Sequence, residues 1–154
     1  MTQAEPNPAH SAITWLHHRK HLSTVLTQNV DNLHEKSGLT RVQHLHGDLS
    51  FVSCMDCGKR ISRDDLQNEL SALNPNLSIQ LQPYRPRPDG DTEVPEAFVR
   101  AFQIPSCQSC GGDLKPEVVF FGDRVPPDII SNAFEALEAA DALLVIGSSL
   151  KIFS

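Results

Sequence analysis

The sequence predicts an α/β protein: part of a doubly wound parallel sheet of the Rossmann type, with an inserted four-cysteine zinc-binding module. Three observations support this prediction. Apolar runs of strand length alternate with segments of helical periodicity. Two Cys-x-x-Cys pairs lie between the first strand and the later ones. Polar or small residues follow the strands. We assign residues 1–49 and 114–154 to the partial Rossmann-like domain and residues 50–113 to the inserted module.

The composition excludes several classes of protein. With 154 residues, the chain is long enough for one domain of ordinary size. The net charge is -6 and no basic run stands out, which argues against nucleic acid as a partner. No apolar run approaches the ~20 residues of a membrane helix, so no membrane partner is expected. The N-terminal segment Met1–His10 has the pattern of neither a signal peptide nor an Arg-rich transit peptide.

All four cysteines belong to the two Cys-x-x-Cys pairs, and glycine follows each pair. The cysteines are Cys54, Cys57, Cys107 and Cys110. Matched pairs with this spacing are typical of a tetrahedral structural zinc site. A redox dithiol or chance pairing would not explain two matched pairs. Four thiolates leave no open position on the metal, so the predicted zinc has a structural role.

The N-terminal third predicts a helix, a strand and a short helix. Asn7-Pro8 provides an N-cap and a first-turn proline, and the helix should fade near Lys20-His21. Leu22–Leu26 is predicted to be a short buried strand. Asn32–Ser37 is predicted to form a short helix closed by Gly38.

The polar residues between this strand and the short helix have two interpretations. Gln28, Asn29 and Asp31 offer amide and carboxylate groups at the carboxyl end of a strand, where open α/β sheets bind ligands. Alternatively, Asn and Asp at these positions only cap the following helix. The spacing alone leaves both interpretations open.

A candidate general base and the zinc module follow. His46 precedes Gly47, and we expect the glycine to leave room for a ligand beside the imidazole ring. Phe51–Cys54 is predicted to be a strand that enters the module. Within the module we expect a helix capped by Ser62, a loop over residues 74–91 and a short helix from Pro95.

The C-terminal part predicts a strand, a helix and a strand. Val118–Phe121 is a continuous apolar run, as expected for a strand covered on both faces. A helix should run from Pro127 to Ala140, followed by a buried strand over Ala142–Ile146. The turn Gly147-Ser148-Ser149 suits close approach to a ribose or phosphate, or serves as an ordinary strand-to-helix turn. The sequence contains no phosphate loop of the Gly-x-Gly type.

Together these motifs resemble the sirtuin family. Besides the two cysteine pairs, the matches are Pro6-Asn7-x-x-His10, Thr27-Gln28-Asn29-Val30-Asp31-x-Leu33-His34, Leu45-His46-Gly47, Leu114-Lys115-Pro116, Phe121-Gly122 and Gly147-Ser148-Ser149-Leu150. They occur in the family's order over almost the whole chain. The insert between the cysteine pairs resembles the class II branch, which includes mitochondrial sirtuin 4 and bacterial relatives.

The resemblance implies an NAD-dependent protein-lysine deacylase that transfers the acyl group to ADP-ribose and releases nicotinamide. By this match His46 is the catalytic base, and a histidine pKa near 6.5 suits proton transfer at neutral pH. The implied cofactor contacts are Gln28, Asn29, Val30, Asp31, Gly147, Ser148 and Ser149. The implied contacts to an acyl-lysine protein or peptide are Val118, Val119, Phe120, Phe121 and Gly122, along a strand edge.

The resemblance also implies that a phosphate loop and a pocket arginine precede the segment seen here, and that adenine contacts follow it. We therefore expect the chain to be the middle of a sirtuin and to bind NAD poorly in isolation. Two alternatives to a deacylase stay open: a zinc-stabilised interaction module that is catalytically incomplete, and a protein ADP-ribosyltransferase. The expected location is the mitochondrial matrix, with a bacterial cytoplasm as the alternative.

Overall fold

The structure, a computed structural model, describes residues 4–76 and 94–149. Most of the loop predicted over residues 74–91 lies outside this range. The elements, in chain order, are α1 Pro8–His18, β1 Val25–Thr27, α2 Leu33–Lys36, β2 Val42–His44, β3 Gly47–Cys54, β4 Arg60–Ser62, α3 Arg63–Leu73, α4 Glu96–Ala101, β5 Leu114–Val118 and α5 Pro127–Glu138. The mixture of helices and strands confirms the predicted α/β class.

The chain divides into two compact units. One contains the residues up to Leu49 and those from Glu117 onward, and the other contains Ser50–Pro116. The second unit holds all four cysteines, whereas His46 and every predicted cofactor and substrate contact belong to the first.

In the first unit, β1 and β2 form a parallel pair connected through α2. The register pairs Val25 with Val42, Leu26 with Gln43 and Thr27 with His44. Parallel strands need a crossover connection, and α2 provides it here. The strand β1 begins three residues later than predicted and includes Thr27. The polar segment Gln28–Asp31 therefore follows directly at the carboxyl end of β1.

Helix α1 begins as the sequence predicts. The Asn7 side chain accepts hydrogen bonds from the backbone N–H groups of Ala9 and His10, and His10 Nδ1 accepts from the Asn7 backbone N–H. This reciprocal arrangement is a capping box with histidine as the third helical residue. The hydroxyl oxygens of Thr14 and Ser37 lie 2.7 Å apart, and the hydrogen bond between them connects α1 to the end of α2.

The second unit contains most of a small sheet with the strand order β4-β3-β5, while residues 47–49 of β3 and 117–118 of β5 belong to the first unit. The strands β3 and β4 are antiparallel, and Val52 of β3 is fully buried. Leu66 and Leu70 of α3 pack against it, as the helical spacing of these leucines predicts. Ser62 caps α3 by accepting a hydrogen bond from the Asp65 N–H. Because this buried cluster is small, other interactions must contribute to the stability of the unit.

The structure corrects two predicted strands. The strand β5 ends at Val118, and the chain turns at Phe120, whose backbone carbonyl accepts from the Asp123 N–H. Phe121 is fully exposed. Residues 142–146 form no strand and are exposed, with Leu144 at 70%. An apolar run becomes a strand only where another strand supplies hydrogen bonds, and no strand in the two described ranges pairs with this one.

None of the helices within the described ranges is both long enough and apolar enough to cross a membrane.

Candidate functional site

Backbone hydrogen bonds hold the segment around His46 on two sides. The Leu45 N–H donates to the Thr27 carbonyl at 2.9 Å, and the Leu49 N–H donates to the Val30 carbonyl at 3.3 Å. On the other side, the Val119 N–H donates to the carbonyl of His46 at 2.9 Å. His46 itself is half-buried. The structure thus places the predicted base between the end of β1 and the end of β5.

Gly47 has a different role from the one predicted. Its φ of +82° favours glycine, and a Cβ at this position would lie 2.1 Å from the carbonyl oxygen of Glu117. The space beside Gly47 is therefore filled by the backbone of Glu117 and Val118. The prediction that the glycine leaves room for a ligand is wrong at this position, because the glycine instead permits β5 to approach the His46 segment.

The segment Gln28–Asp31 has the capping role that the sequence left open, and its role in binding a ligand stays a prediction. One carboxylate oxygen of Asp31 accepts a hydrogen bond from the Leu33 N–H at 3.1 Å, so Asp31 caps the turn into α2. Asn29 is exposed and Gln28 half-buried, and within residues 4–76 and 94–149 neither side chain forms a hydrogen bond. These two amides can thus still bind a ligand.

Only the first part of the predicted substrate segment lies beside His46. Val118 and Val119 are half-buried there, whereas Phe120 and Phe121 are exposed in the turn that follows. The turn Gly147-Ser148-Ser149 is exposed irregular backbone, and Gly147 has a φ of +69°. The roles of these residues in binding substrate and cofactor stay predictions.

Burial lowers the pKa of His34, a histidine of α2. The nearby His10 ring lowers it further, because a second positive charge at 5.0 Å between ring centroids would be unfavourable. The carboxylates of Glu35 and Asp31 act in the opposite direction but do not offset burial. His34 is therefore held as a neutral imidazole at neutral pH.

The four cysteines form one cluster in the second unit, as predicted. Their Sγ atoms all lie within 4.8 Å of one another. The Cys54 and Cys110 sulfurs are 3.4 Å apart, and the Cys57 and Cys107 sulfurs are 3.7 Å apart. Zn–S bonds of about 2.3 Å in a tetrahedron require sulfurs about 3.8 Å apart. The cluster thus fits one four-coordinate Zn²⁺ with no open position.

Each cysteine pair is held by the same turn. The Gly58 N–H donates to the Cys54 carbonyl and the Gly111 N–H to the Cys107 carbonyl, at 3.0 and 2.8 Å. Both glycines have positive φ, of +70° and +78°, which other residues adopt rarely. The glycine that follows each pair therefore closes a tight turn around the cluster.

Electrostatics within the cluster favour binding of a cation. Backbone N–H groups of Ser109 and Cys110 lower the pKa of Cys107 to about 6. The Gly112 N–H acts to lower the pKa of Cys110, but the Cys54 and Cys57 thiols raise it to about 12. One thiolate is thus easily formed, whereas several together repel one another. A bound Zn²⁺ would remove this repulsion.

Two side-chain pairs near His46 were not predicted from the sequence. Asn32 Nδ2 donates to Asp48 Oδ1 at 2.7 Å, and His44 Nε2 lies 2.5 Å from Glu35 Oε1. Asn32 and Asp48 are 16 positions apart in the sequence, and Glu35 and His44 are 9 positions apart. No local spacing rule connects them. The alignment of β1 with β2 would have been the signal, since it brings these segments together.

Comparison with known proteins identifies relatives along the whole chain. The family model described as "Sir2 family" matches residues 1–154. The human mitochondrial NAD-dependent protein lipoamidase sirtuin-4 is 45% identical over 97% of this chain and 47% of its own length. An NAD-dependent protein deacetylase from Bradyrhizobium diazoefficiens is 42% identical over 99% of this chain and 55% of its own. The chain spans about half the length of these relatives.

Solved structures of Sir2 proteins have the same fold. One, bound to an acetylated peptide, gives a TM-score of 0.74 at 26% identity, over 99% of this chain and 52% of the other. Another, bound to a propionylated peptide, gives 0.72 at 28% identity, over 99% and 52%. These similarities confirm the Rossmann-like α/β class that the sequence predicts.

Proposed function

Because the chain belongs to the Sir2 family, we propose that this protein is an NAD-dependent protein-lysine deacylase. The observation that carries the proposal is the position of His46, held by hydrogen bonds between the segment after β1 and the end of β5. The two segments that flank it are those in which cofactor and substrate contacts are predicted. Relatives solved with acylated peptides support this class of substrate.

NAD supplies an electrophilic ribose carbon and the hydroxyl that accepts the acyl group. The overall reaction consumes acyl-lysine, NAD and water, and it yields lysine, nicotinamide and O-acyl-ADP-ribose. With NAD bound, His46 would accept the proton of a ribose hydroxyl, and this would make that oxygen a nucleophile toward the acyl carbon. Gln28 and Asn29 provide the uncommitted amides near this position, and Asp31 keeps one carboxylate oxygen for the backbone of Leu33.

The acyl-lysine segment is proposed to lie along Val118 and Val119. Backbone groups at a strand end bind an extended peptide regardless of its side chains, which suits an enzyme acting on many proteins. Phe120 and Phe121 present exposed aromatic rings in the turn that follows this edge. They are the candidate contacts for the apolar part of an acyl chain or for neighbouring peptide residues.

Replacement of His46 tests the catalytic proposal. In the full-length protein, His46→Ala should lower NAD-dependent release of lysine at least about 100-fold, since a positioned general base contributes this much or more. The measurement is mass-spectrometric detection of deacylated peptide and nicotinamide, with bound zinc measured in parallel. His21→Ala is the matched control, because His21 is an exposed histidine of the same unit. If His46→Ala retained full activity, His46 would not be the base.

The acyl group is tested with a peptide series. The human relative is named a lipoamidase and the bacterial one a deacetylase, so acetyl-lysine and lipoyl-lysine peptides are the two informative substrates. A higher kcat/KM for one of the two peptides would identify the acyl group that the enzyme removes. Transfer of ADP-ribose to protein, seen as a mass increase on the protein without lysine release, would favour the transferase instead.

The zinc-stabilised interaction module is the non-enzymatic alternative. A zinc-loaded protein that does not consume NAD, and whose binding to a partner protein is unchanged when His46 is replaced, would favour this alternative.

The proposed compartment is the mitochondrial matrix, with the bacterial cytoplasm as alternative, because mitochondrial and bacterial relatives both match. Imaging of the tagged protein in its source cells tests the compartment.

A further inference from the structure

Two side-chain pairs connect residues that follow the predicted cofactor segment Gln28–Asp31 to residues on either side of His46. We propose that Glu35–His44 and Asn32–Asp48 are positioning pairs, which hold the Gln28–Asp31 segment and His46 in the arrangement needed for proton transfer. This inference rests on the proposed deacylase function.

The pairs are placed symmetrically about the proposed base. His44 precedes His46 by two residues and Asp48 follows it by two. Their partners lie just beyond Asp31, where Asn32 follows directly and Glu35 belongs to α2. A shift of the cofactor segment relative to His46 would therefore break one or both pairs. The backbone bonds Leu45–Thr27 and Leu49–Val30 join the same two segments at two points.

The Asn32–Asp48 bond depends on an uncommon backbone conformation. Asn32 has a φ of +57°, in the left-handed region that asparagine adopts more readily than most other residues. Its amide nitrogen in this conformation lies 2.7 Å from Asp48 Oδ1. A charged acceptor makes this hydrogen bond stronger than a neutral pair would. The bond thus fixes the turn that ends the cofactor segment.

The Glu35–His44 pair fixes the ring of His44. His44 Nδ1 is buried and, among the described residues, has no hydrogen-bond partner, whereas Nε2 faces Glu35 at 2.5 Å. A proton on Nδ1 would be an unsatisfied buried donor, so Nε2 is the ring nitrogen that donates a hydrogen bond to the Glu35 carboxylate. The His44 side chain is only 17% exposed, which limits its alternatives to this partner. The pair therefore holds α2 to the end of β2.

Alanine and conservative variants separate positioning from general stability. Glu35→Ala and Asp48→Ala remove the acceptors, while Glu35→Gln and Asp48→Asn retain a carbonyl oxygen in the same place. We expect kcat for deacylation to fall roughly 10- to 100-fold in the alanine variants, because small displacements of reacting groups have effects of this size. The conservative variants Glu35→Gln and Asp48→Asn should retain most of the wild-type kcat. Glu96→Ala, which removes an exposed ion pair with Arg100 in the second unit, is the control.

A second measurement is independent of activity. Amide hydrogen exchange of Leu45 and Leu49 in the 154-residue chain should become about tenfold faster in Glu35→Ala and Asp48→Ala, but not in Glu96→Ala. The NMR signals of the His46 ring should also shift in the first two variants only. Unchanged exchange and unchanged His46 signals would overturn the positioning proposal.

The outcomes of the two inferences are distinguishable. An active wild type with unchanged kcat in both alanine variants overturns positioning and leaves the deacylase proposal intact. Inactivity of the full-length wild-type protein and of its His46→Ala variant alike overturns the deacylase proposal, and with it the claim that these pairs position residues for catalysis. In that case the exchange data decide only whether the pairs hold the two segments together.

Discussion

Gly47 lies so close to Glu117 that the backbone of β5 occupies the position of any side chain at residue 47. The virtual Cβ would be 2.1 Å from the Glu117 carbonyl oxygen and 2.9 Å from the Val118 Cα. Contacts this short with backbone atoms cannot be relieved by a change of rotamer. The approach of the two segments, and hence the location of Val118 beside His46, depends on the absence of a side chain here.

Gly47→Ala should therefore destabilise the first unit strongly. We expect the free energy of unfolding to fall by about 3 kcal/mol, of which 1–2 kcal/mol comes from positive φ and the rest from the steric conflict. Urea denaturation measures the loss. Gly122→Ala is the matched control, because Gly122 has a φ of +92° but nothing within 4 Å of its virtual Cβ. Equal losses in the two variants would show that the Glu117 contact is unimportant.

Removal of zinc should unfold the second unit. Its buried cluster centres on Val52, Leu66 and Leu70, whereas a structural zinc site contributes on the order of 10 kcal/mol. Chelation should abolish the cooperative unfolding transition of this unit in circular dichroism, and metal analysis should give one zinc per chain.

Variants at and beside the ligands test the same site. Cys110→Ser should lower bound zinc below one equivalent, whereas Met55→Ala should not, since Met55 is 68% exposed between two ligands and provides no thiolate. Retention of one zinc in Cys110→Ser, with an unchanged transition after chelation, would contradict a four-cysteine structural site.

Local patterns in the sequence predict the parts of the molecule that depend on neighbouring residues. The Asn7 cap of α1 and the Ser62 cap of α3 are confirmed, because spacing alone determines whether such groups can meet. The four-cysteine cluster is also confirmed, although its two pairs are distant in the sequence, because two matched Cys-x-x-Cys pairs are typical of one shared metal site. The fold class follows from the alternation of elements. The predicted fold class agrees with the fold of the solved Sir2 structures.

Features that depend on distant segments could not be predicted in this way. The role of Gly47 is set by Glu117, 70 positions later, and the Asn32–Asp48 pair by the alignment of β1 with β2. Residues 142–146 have the composition of a buried strand but no pairing strand in the described ranges. The composition of a segment indicates how readily it forms a strand, whereas a pairing strand determines whether that strand forms in the folded protein.

Acid should destabilise the protein through His34. The pKa of His34 in the folded protein is lowered by burial and by His10, so the unfolded chain binds this proton more tightly. The contribution to stability is therefore present above the ordinary pKa of about 6.5 and is lost as the pH falls toward the lower folded value. Urea denaturation at pH 7.5 and 5.5 measures the loss.

His34→Gln should reduce this pH dependence, because glutamine does not titrate. His21→Gln removes an exposed histidine and should leave the pH dependence as in the wild type. An unchanged difference between pH 7.5 and 5.5 in His34→Gln would assign the acid sensitivity to other groups.

The exposed run over residues 142–146 should bind apolar dyes. Leu143, Leu144 and Ile146 are 63%, 70% and 62% exposed, and consecutive apolar residues of this exposure form a contiguous patch rather than scattered contacts. Anilinonaphthalene sulfonate fluorescence should therefore increase with the folded 154-residue chain. Leu144→Asp should reduce the signal by about half or more because it places a charge at the centre of the patch. Ile104→Asp is the control, since Ile104 is 73% exposed but lies in the second unit, away from this run in the sequence. A dye signal absent from the wild type, or equally reduced by both substitutions, would show that residues 142–146 are covered in solution.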